Sequence, residues 1–321
     1  MKILVTGGAG FIGSHTSHAL LERGHDVLGI DNLNDYYDPA LKQARLAELT
    51  PKPGYAFEQM DIADDQALLA RVKAYAPDRI VHLAAQAGVR YSLENPMAYA
   101  RSNLIGHLAV LEAVRHTPSV KHLVYASSSS VYGERNDAPF SEDDPVENPV
   151  SLYAATKRAD ELMSATYSRL YGLTQTGLRF FTVYGRWGRP DMAYWLFTDA
   201  ILKGEPIKVF NKGEMQRDFT YIDDVVRTVV KIAEDTPDAA RHCVYNIGGS
   251  DPRPLKDFIA AIEAALGMEA EKIYLPMQKG DVTKTSADVS AITRDYGYAA
   301  TTSIEDGIRI FVDWYRDFYS V

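Results

Sequence analysis

Apolar and polar positions in the first half of the chain follow a strand-then-helix rhythm. Lys2 to Thr6 is a short apolar run that enters a glycine-rich turn; a helical stretch follows and ends near Gly24, and Asp26 to Ile30 reads as a second strand ending at Asp31. The same alternation predicts strands over Tyr55 to Gln59, Arg79 to His82 and His122 to Ser127, with helices over Asp64 to Tyr75 and Pro96 to His116. Successive units of this kind make an α/β architecture, a doubly wound parallel sheet with helices on both faces. Ser151 is placed to N-cap a longer helix that runs to Tyr171 and stops at Gly172, and Thr174 to Arg179 reads as a further strand. Beyond it the rhythm thins. The segments Trp187 to Asp191, Gln216 to Tyr221 and Lys279 to Asp281 predict a second region of loops and shorter elements. We therefore divide the chain into residues 1–180 and a smaller mixed domain over 181–321, with some segments of the latter expected to return to the first. The last clear helix, Ser303 to Tyr319, carries an apolar stripe of Ile304, Ile308, Phe311, Val312 and Tyr315, which predicts core packing.

Composition narrows the setting. The chain has 321 residues, 46% hydrophobic and 24% charged, the mix of an ordinary globular protein. No run approaches the ~18 apolar residues of a membrane span, and Met1 leads directly into a strand pattern, so a cytoplasmic protein without membrane attachment is expected. The single cysteine, Cys243, excludes an internal disulfide and reads as a small buried residue. A net charge of −9 with no basic block argues against nucleic acid as a partner. His15 and His18 on the first helix have no further ligands nearby, so no metal site is expected.

The chemistry begins at the first turn. Gly7, Gly10 and Gly13 lie between a strand and a helix, where glycines allow a tight turn and the close approach of a pyrophosphate, and the helix N-terminus favours its charge. The second strand ends at Asp31, where a carboxylate suits both ribose hydroxyls and repels a 2′-phosphate, so NAD is expected rather than NADP. In a doubly wound sheet, ligands sit beyond the carboxyl ends of the strands. Asp61-Ile62, Leu83-Ala84-Ala85-Gln86 and Ser127-Ser128-Ser129-Ser130 all fall there.

Tyr153 and Lys157, four apart on the long helix, share one face. They read either as a surface pair or as a base whose phenol the ammonium helps to ionise. A phenol titrates near ~10, so a tyrosinate usable at pH 7 requires about 4 kcal/mol of differential stabilisation. One lysine rarely supplies that, and an oxidised nicotinamide ring nearby would supply much of the remainder.

Taken together, these motifs resemble the extended short-chain dehydrogenase/reductase family over essentially the whole length. The resemblance rests on Thr6-Gly7-Gly8-Ala9-Gly10-Phe11-Ile12-Gly13, on Tyr125-Ala126-Ser127-Ser128-Ser129-Ser130-Val131-Tyr132-Gly133, on Tyr153 and Lys157, and on Arg217-Asp218-Phe219-Thr220-Tyr221-Ile222-Asp223-Asp224. It implies a Rossmann-type domain, a smaller sugar-nucleotide domain, tightly held NAD and a homodimer made by pairing helices. Implied cofactor contacts are Gly7, Gly10, Phe11, Ile12, Gly13, Asp31, Asn32, Asp61, Ile62, Leu83, Ala84, Ala85, Asn103, Tyr153 and Lys157. Tyr153 would be the catalytic base, Lys157 its electrostatic and ribose-binding partner, and Ser128 a partner of the sugar hydroxyl, with Ser127 and Ser129 as rivals.

Within the family the chain is most similar to the UDP-glucuronate 4-epimerases, through Leu178-Arg179-Phe180-Phe181-Thr182-Val183-Tyr184-Gly185, Trp187-Gly188-Arg189-Pro190-Asp191-Met192-Ala193 and Gln86-Ala87-Gly88-Val89-Arg90-Tyr91-Ser92. Arg186 departs from that pattern, which usually has proline there. The implied reaction withdraws the sugar 4-hydroxyl proton to Tyr153 while the 4-hydrogen leaves as hydride, then returns it to the other face. The 4-keto uronate is a β-keto acid, so its carboxylate must be held against loss of carbon dioxide. Thr182, the serines at 127–129, Arg90 and Arg189 are the implied sugar contacts, although Arg189 also reads as a loop-stabilising residue. Arg217 suits the diphosphate, and Asp281 reads either as a ribose acceptor or as a turn acid after Gly280. Three rivals share parts of this pattern. Dehydratases and decarboxylases place acids just before Val131-Tyr132-Gly133, where this chain has Ser129-Ser130; a UDP-glucose 4-epimerase typically has asparagine at the place of Thr182. A non-catalytic NAD-binding regulator would commonly lack the tyrosine or lysine that this chain keeps.

Overall fold

The computed structural model describes residues 1–135, 137–235, 240–277 and 282–321. Its elements begin with β1 (Lys2–Thr6), α1 (Phe11–Glu22), β2 (Asp26–Asp31), α2 (Pro39–Leu49), β3 (Tyr55–Gln59), α3 (Asp65–Tyr75) and β4 (Arg79–His82). Two short helices, α4 (Tyr91–Glu94) and α5 (Pro96–Tyr99), lead through a π-helical turn at Ala100–Ile105 into α6 (Gly106–Arg115). Then come β5 (His122–Ser128), α7 (Leu152–Tyr171), β6 (Gln175–Phe180), β7 (Thr182–Tyr184), α8 (Ala193–Lys203), β8 (Ile207–Phe210) and β9 (Gln216–Tyr221). The chain closes with α9 (Ile222–Glu234), β10 (His242–Ile247), β11 (Pro252–Pro254), α10 (Leu255–Leu266), β12 (Lys272–Leu275), α11 (Ser290–Tyr296) and α12 (Ile304–Tyr319).

The chain divides into two units. The first comprises Met1–Gly133, Pro145–Phe180 and Val226–Tyr245; the second comprises Glu134–Asp144, Phe181–Val225 and Asn246–Val321. The first is built on a seven-stranded sheet of order β10-β6-β5-β4-β1-β2-β3. The pairings from β6 through β5, β4, β1 and β2 to β3 are all parallel. This is the Rossmann-type doubly wound sheet, and its strand order reverses at β1 and β4, where such sheets open a crevice for ligands. Helices cover both faces, so the central strands are apolar throughout: Ile3, Leu4, Val5, Ile80, Val81, Leu123 and Val124 are all buried. On one face, Leu68 and Val72 of α3 and Val110, Leu111 and Val114 of α6 pack with Leu4, Leu28 and Ile80 into one apolar cluster.

The predicted strands and long helices of this half are present, with two differences. Pro39–Leu49 forms a helix that the apolar pattern did not announce, because Lys42 and Arg45 lie on its buried face where apolar residues are expected. Its start was nonetheless marked by Asp38, which accepts from the Ala40 N–H, and by proline at the first helical position. The single helix expected over 96–116 is broken by the π-turn, a feature that often marks functional sites.

In the second unit, β9 lies between β7, which it pairs in parallel, and β11, which it pairs antiparallel, while β12 runs parallel to β8. Its core is aromatic: Phe219 stacks on Phe258 with centroids 4.0 Å apart, and Tyr184 meets Tyr194, Tyr221 and Phe258 edge-on. The predicted stripe of α12, from Ile304 to Tyr315, is buried throughout. The second half is more regular than its sequence suggested. Long helices span α8, α9 and α10, and β10 supplies the seventh strand beside β6. That pairing joins segments far apart in the chain, which no local pattern encodes. Among the described residues no helix is long and apolar enough to cross a membrane.

Candidate functional site

The glycine turn is forced by crowding. Gly7 has φ +70°, and a Cβ there would lie 2.8 Å from the Ala84 nitrogen; a Cβ on Gly13 would collide with the Gly7 carbonyl oxygen. The turn after β1 is thus pressed against the segment after β4, bringing Gly7 beside Leu83 and Ala84. The Ala84 N–H donates to Thr6 Oγ1 at 3.2 Å. Gly10 is the N-cap of α1 and gives it no side-chain cap, so Phe11 and Ile12 open a helix whose N-terminal dipole suits an anion. A backbone cradle stripped of side chains at a helix N-terminus fits a dinucleotide pyrophosphate.

At the end of β2, Asp31 is buried. One carboxylate oxygen accepts from the Leu33 N–H at 2.9 Å, and the other from the Ala9 N–H at 3.3 Å. Lys42 approaches the first of these oxygens at 3.5 Å and donates to Asn34 Oδ1 at 3.0 Å. Arg45, also buried, donates to the Ala9 carbonyl of the glycine turn and to the Tyr37 hydroxyl. Two buried cations therefore back the acid and the turn. Asn32 is half-buried beside them, its Oδ1 accepting from the Asn34 N–H. This arrangement fits a ribose, since Asp31 remains an acceptor with its charge balanced.

Asp61, past the end of β3, accepts from the Ala63 N–H and from Arg101, while Ile62 is part of the apolar core. Asn103, in the π-turn, is fully engaged: its side chain accepts from the Gln86 N–H at 2.8 Å and donates to the Gln86 carbonyl and to Thr156 Oγ1. It thereby joins the segment 83–86, next to Ala85, to helix α7. Arg90 is exposed at the start of α4.

Helix α7 carries the Tyr–Lys pair. Ser151 caps it, accepting from the Ala154 N–H at 3.1 Å, and Gly172 ends it in the left-handed region. Lys157 is buried, and its Nζ donates to the Ala126 carbonyl of β5 at 3.0 Å. That bond ties α7 to the strand bearing the serines, and it makes Lys157 no surface residue. Tyr153, half-buried one turn earlier, meets the buried ring of Tyr99 edge-on at 6.1 Å. Ser128 ends β5; its Oγ donates to Ser130 Oγ and accepts from the Ser130 N–H. Ser127 is buried and commits its proton to Glu161 at 2.7 Å, whereas Ser129 is half-buried.

The remaining sequence candidates belong to the second unit. Thr182 begins β7, half-buried and in register with Phe219. Arg189 forms a two-pronged pair with Asp191 at 2.9 and 2.7 Å within its own loop. Arg217, on β9, donates to the Gln216 carbonyl and lies against the Met215 sulfur. Asp281 lies outside the described residues.

Several buried polar residues around the site were not read from the sequence. Lys42 and Arg45 sit behind Asp31, Thr156 holds Asn103, and Asp160 and Glu161 stand beneath Lys157 and Ser127. The Asp38-Pro39 helix start could have exposed the first two, since it places a helix directly after the Asp31 strand.

A profile of the NAD dependent epimerase/dehydratase family matches residues 3–248. UDP-glucuronate 4-epimerase 4 of Arabidopsis thaliana is 46% identical, spanning 100% of this chain and 76% of that protein. An uncharacterised 37.6 kDa protein of Escherichia coli O111:H- is 54% identical over the full length of both. The crystal structure of UDP-glucuronic acid 4-epimerase from Bacillus cereus, in complex with UDP-glucuronic acid and NAD, matches with TM-score 0.93 at 35% identity, covering 99% of this chain and 100% of that one. UDP-glucose 4-epimerase of Thermotoga maritima, with UDP-glucose, matches with TM-score 0.90 at 32% identity and the same coverage. With a family profile over most of its length and relatives matching it end to end, the chain belongs to the NAD-dependent epimerase/dehydratase family.

Proposed function

We propose that this protein is an NAD-dependent UDP-glucuronate 4-epimerase, interconverting UDP-glucuronate and UDP-galacturonate without loss of carbon dioxide. The observation that carries this reading is the bond from Lys157 Nζ to the Ala126 carbonyl, which fixes the Tyr–Lys helix against the strand ending in Ser127 and Ser128. The plant and Bacillus relatives, both named as UDP-glucuronate 4-epimerases, supply the substrate.

NAD, when bound, supplies reversible hydride acceptance at the sugar C4. The first unit holds it through the glycine turn, Phe11 and Ile12, Asp31 and Asn32 at the adenosine end, Asp61 and Ile62, Leu83 to Ala85, Asn103, and the Tyr153–Lys157 pair. Tyr153 takes the 4-hydroxyl proton and later returns it, and the Lys157 ammonium stabilises the phenolate in between. Ser128, its hydroxyl turned away from Ser130 Oγ, donates to the same sugar oxygen. Ser127, with its proton given to Glu161, is the weaker rival, and Ser129 remains beside Ser128 as a carboxylate contact. Because Ser129 and Ser130 carry no acid, nothing there protonates or deprotonates C5 as a dehydratase requires.

The second unit takes the sugar nucleotide. Thr182 offers a neutral hydroxyl to the carboxylate, and Arg217 and Asp281 serve the diphosphate and its ribose. Arg189 orders its loop through Asp191 and contributes to substrate binding from there, and Arg90 is a contact from the first unit. The protein works in the cytoplasm as a homodimer. Support for the dimer is an apolar stripe left exposed on packed neighbours: Met97, Ile105 and Leu108 on the α5–α6 stretch and Leu162 on α7.

Incubation with UDP-glucuronate, followed by proton NMR of the nucleotide sugars, tests the reading. UDP-galacturonate is the expected product, and its absence sinks the proposal. UDP-xylose would mark a decarboxylase. Conversion of UDP-glucose alone would support the second reading, a neutral-sugar epimerase like the Thermotoga relative.

A further inference from the structure

The Lys157 ammonium is anchored twice. Besides the Ala126 carbonyl, its Nζ donates to Asp160 Oδ2 at 3.1 Å, and both side chains are buried. An ammonium has three N–H bonds. Two of them are committed to the scaffold, which fixes the direction of the third. Asp160 is 0% exposed, and its other oxygen, Oδ1, has no hydrogen-bond partner among the described residues.

A half-satisfied carboxylate in the interior is costly, and an isosteric amide would fill the same space. The titratable groups that face it are Lys157 and Glu161 on its own helix and Tyr125 from β5; His107 from α6 meets its backbone, and His82 from β4 faces Lys157. Glu161 is engaged by Arg179, Ser127 and Arg158. Burial keeps both imidazoles neutral, His82 down to about 3, and burial likewise pushes the Tyr125 phenol up. Lys157 is thus the cation Asp160 answers.

We propose that Asp160 is a positioning residue for the Tyr153–Lys157 pair: it anchors the ammonium against β5 and cancels part of its charge, so Tyr153 gives up its proton less readily than beside an unpaired lysine. This rests on the reading of Tyr153 as the base. Burial pushes the Asp160 carboxyl up to about 6, with Lys157 opposing. On acidification Asp160 therefore takes a proton and releases the full charge of Lys157, which resists protonation of the tyrosinate.

The test uses the NAD-loaded protein and the variant Asp160→Asn, whose amide oxygen still accepts from Lys157 but carries no charge. Tyrosinate absorbance is titrated in the parent and the variant, each corrected by its Tyr153→Phe counterpart. The Tyr153 midpoint is expected to fall by about half a unit or more in Asp160→Asn, and the acid limb of turnover to move with it. A purely structural role for Asp160 would move neither. An unchanged midpoint overturns the proposal. Should the parent turn over no UDP-glucuronate while the midpoint still shifts, the substrate reading fails and Asp160 keeps its role; turnover without a shift removes the Asp160 proposal alone.

Discussion

Arg179 on β6 grips Glu161 on α7 through two hydrogen bonds of 2.8 and 3.0 Å, both side chains being buried, and Glu161 accepts the Ser127 hydroxyl at 2.7 Å. Burial alone would raise the Glu161 carboxyl; Arg179, Ser127 and Arg158 outweigh it and hold the group below the usual range. Arg179 also donates to the Tyr132 hydroxyl at 2.9 Å. One guanidinium thus fixes both sides of the serine strand end. Removing Arg179 leaves buried Glu161 only Arg158 as a counter-cation, so Arg179→Met is expected to cost about 3 kcal/mol in urea unfolding, and Arg179→Met with Glu161→Met to recover most of it. Equal losses in the single and double variants would contradict this.

Tyr153→Phe removes only the ionisable oxygen. The ring contact with Tyr99 is kept, so the fold and the NAD content are expected to be normal. Turnover of UDP-glucuronate is expected to fall by about 10²–10⁴-fold. Near-normal turnover in the NMR assay would refute the assignment of the base.

Besides the ribose contact proposed for it, Asp31 balances Lys42. Asp31→Ala is therefore expected to weaken NAD retention and also to leave a buried ammonium short of a partner. Asp31→Asn is the milder form of the same change: it keeps one accepting oxygen but loses the other and the charge that balances Lys42. We expect both variants to release more NAD than the parent on gel filtration, with the larger drop in thermal midpoint in the alanine variant. Parental NAD retention in both would show that Asp31 does not hold the cofactor.

Acid stability follows from burial. His82, His107 and His122 are held neutral, His82 at about 3 and His122 at about 4, with burial the leading cause in each. The unfolded chain protonates them near ~6.5, so their stabilisation is complete above that pH and is lost as pH falls towards the folded values. Asp160 and Asp218 act oppositely: burial raises both to about 6, so the folded state takes up their protons first on acidification. Three protons against two leaves a loss of about one proton, roughly 1.4 kcal/mol per pH unit between about pH 5.5 and 4.5. His242, also lowered by burial, adds to the loss. Asp160→Asn removes one opposing group and is expected to steepen the decline in chemical denaturation across this range. A flat profile in both proteins would contradict the sign.

Much of the catalytic half was legible because its signals are local. The Gly7–Gly13 turn follows from strand, glycine and helix in immediate succession, and Asp31 follows from where the next strand stops. Tyr153 and Lys157 share a face because helical spacing places them there, between the cap at Ser151 and the stop at Gly172. The burial of that face was not legible. Four-residue spacing is the same on a solvated helix, and only the packing of α7 against β5 took Lys157 out of water.

The second half resisted for a related reason. Its helices pack aromatic surfaces, such as Phe258 on Phe219, that ring chemistry in the sequence does not pair in advance. What the sequence determined by itself was chemistry carried by neighbours in the chain: the glycine turn, the acid after β2, the Tyr–Lys pair and serines in place of lyase acids. What only the tertiary structure decided was which charges meet out of water. Lys42 behind Asp31, Asp160 beneath Lys157 and Arg179 on Glu161 are ordinary charged residues in the sequence. Their roles come from burial, where a low dielectric and the loss of solvent make each partner's identity decisive.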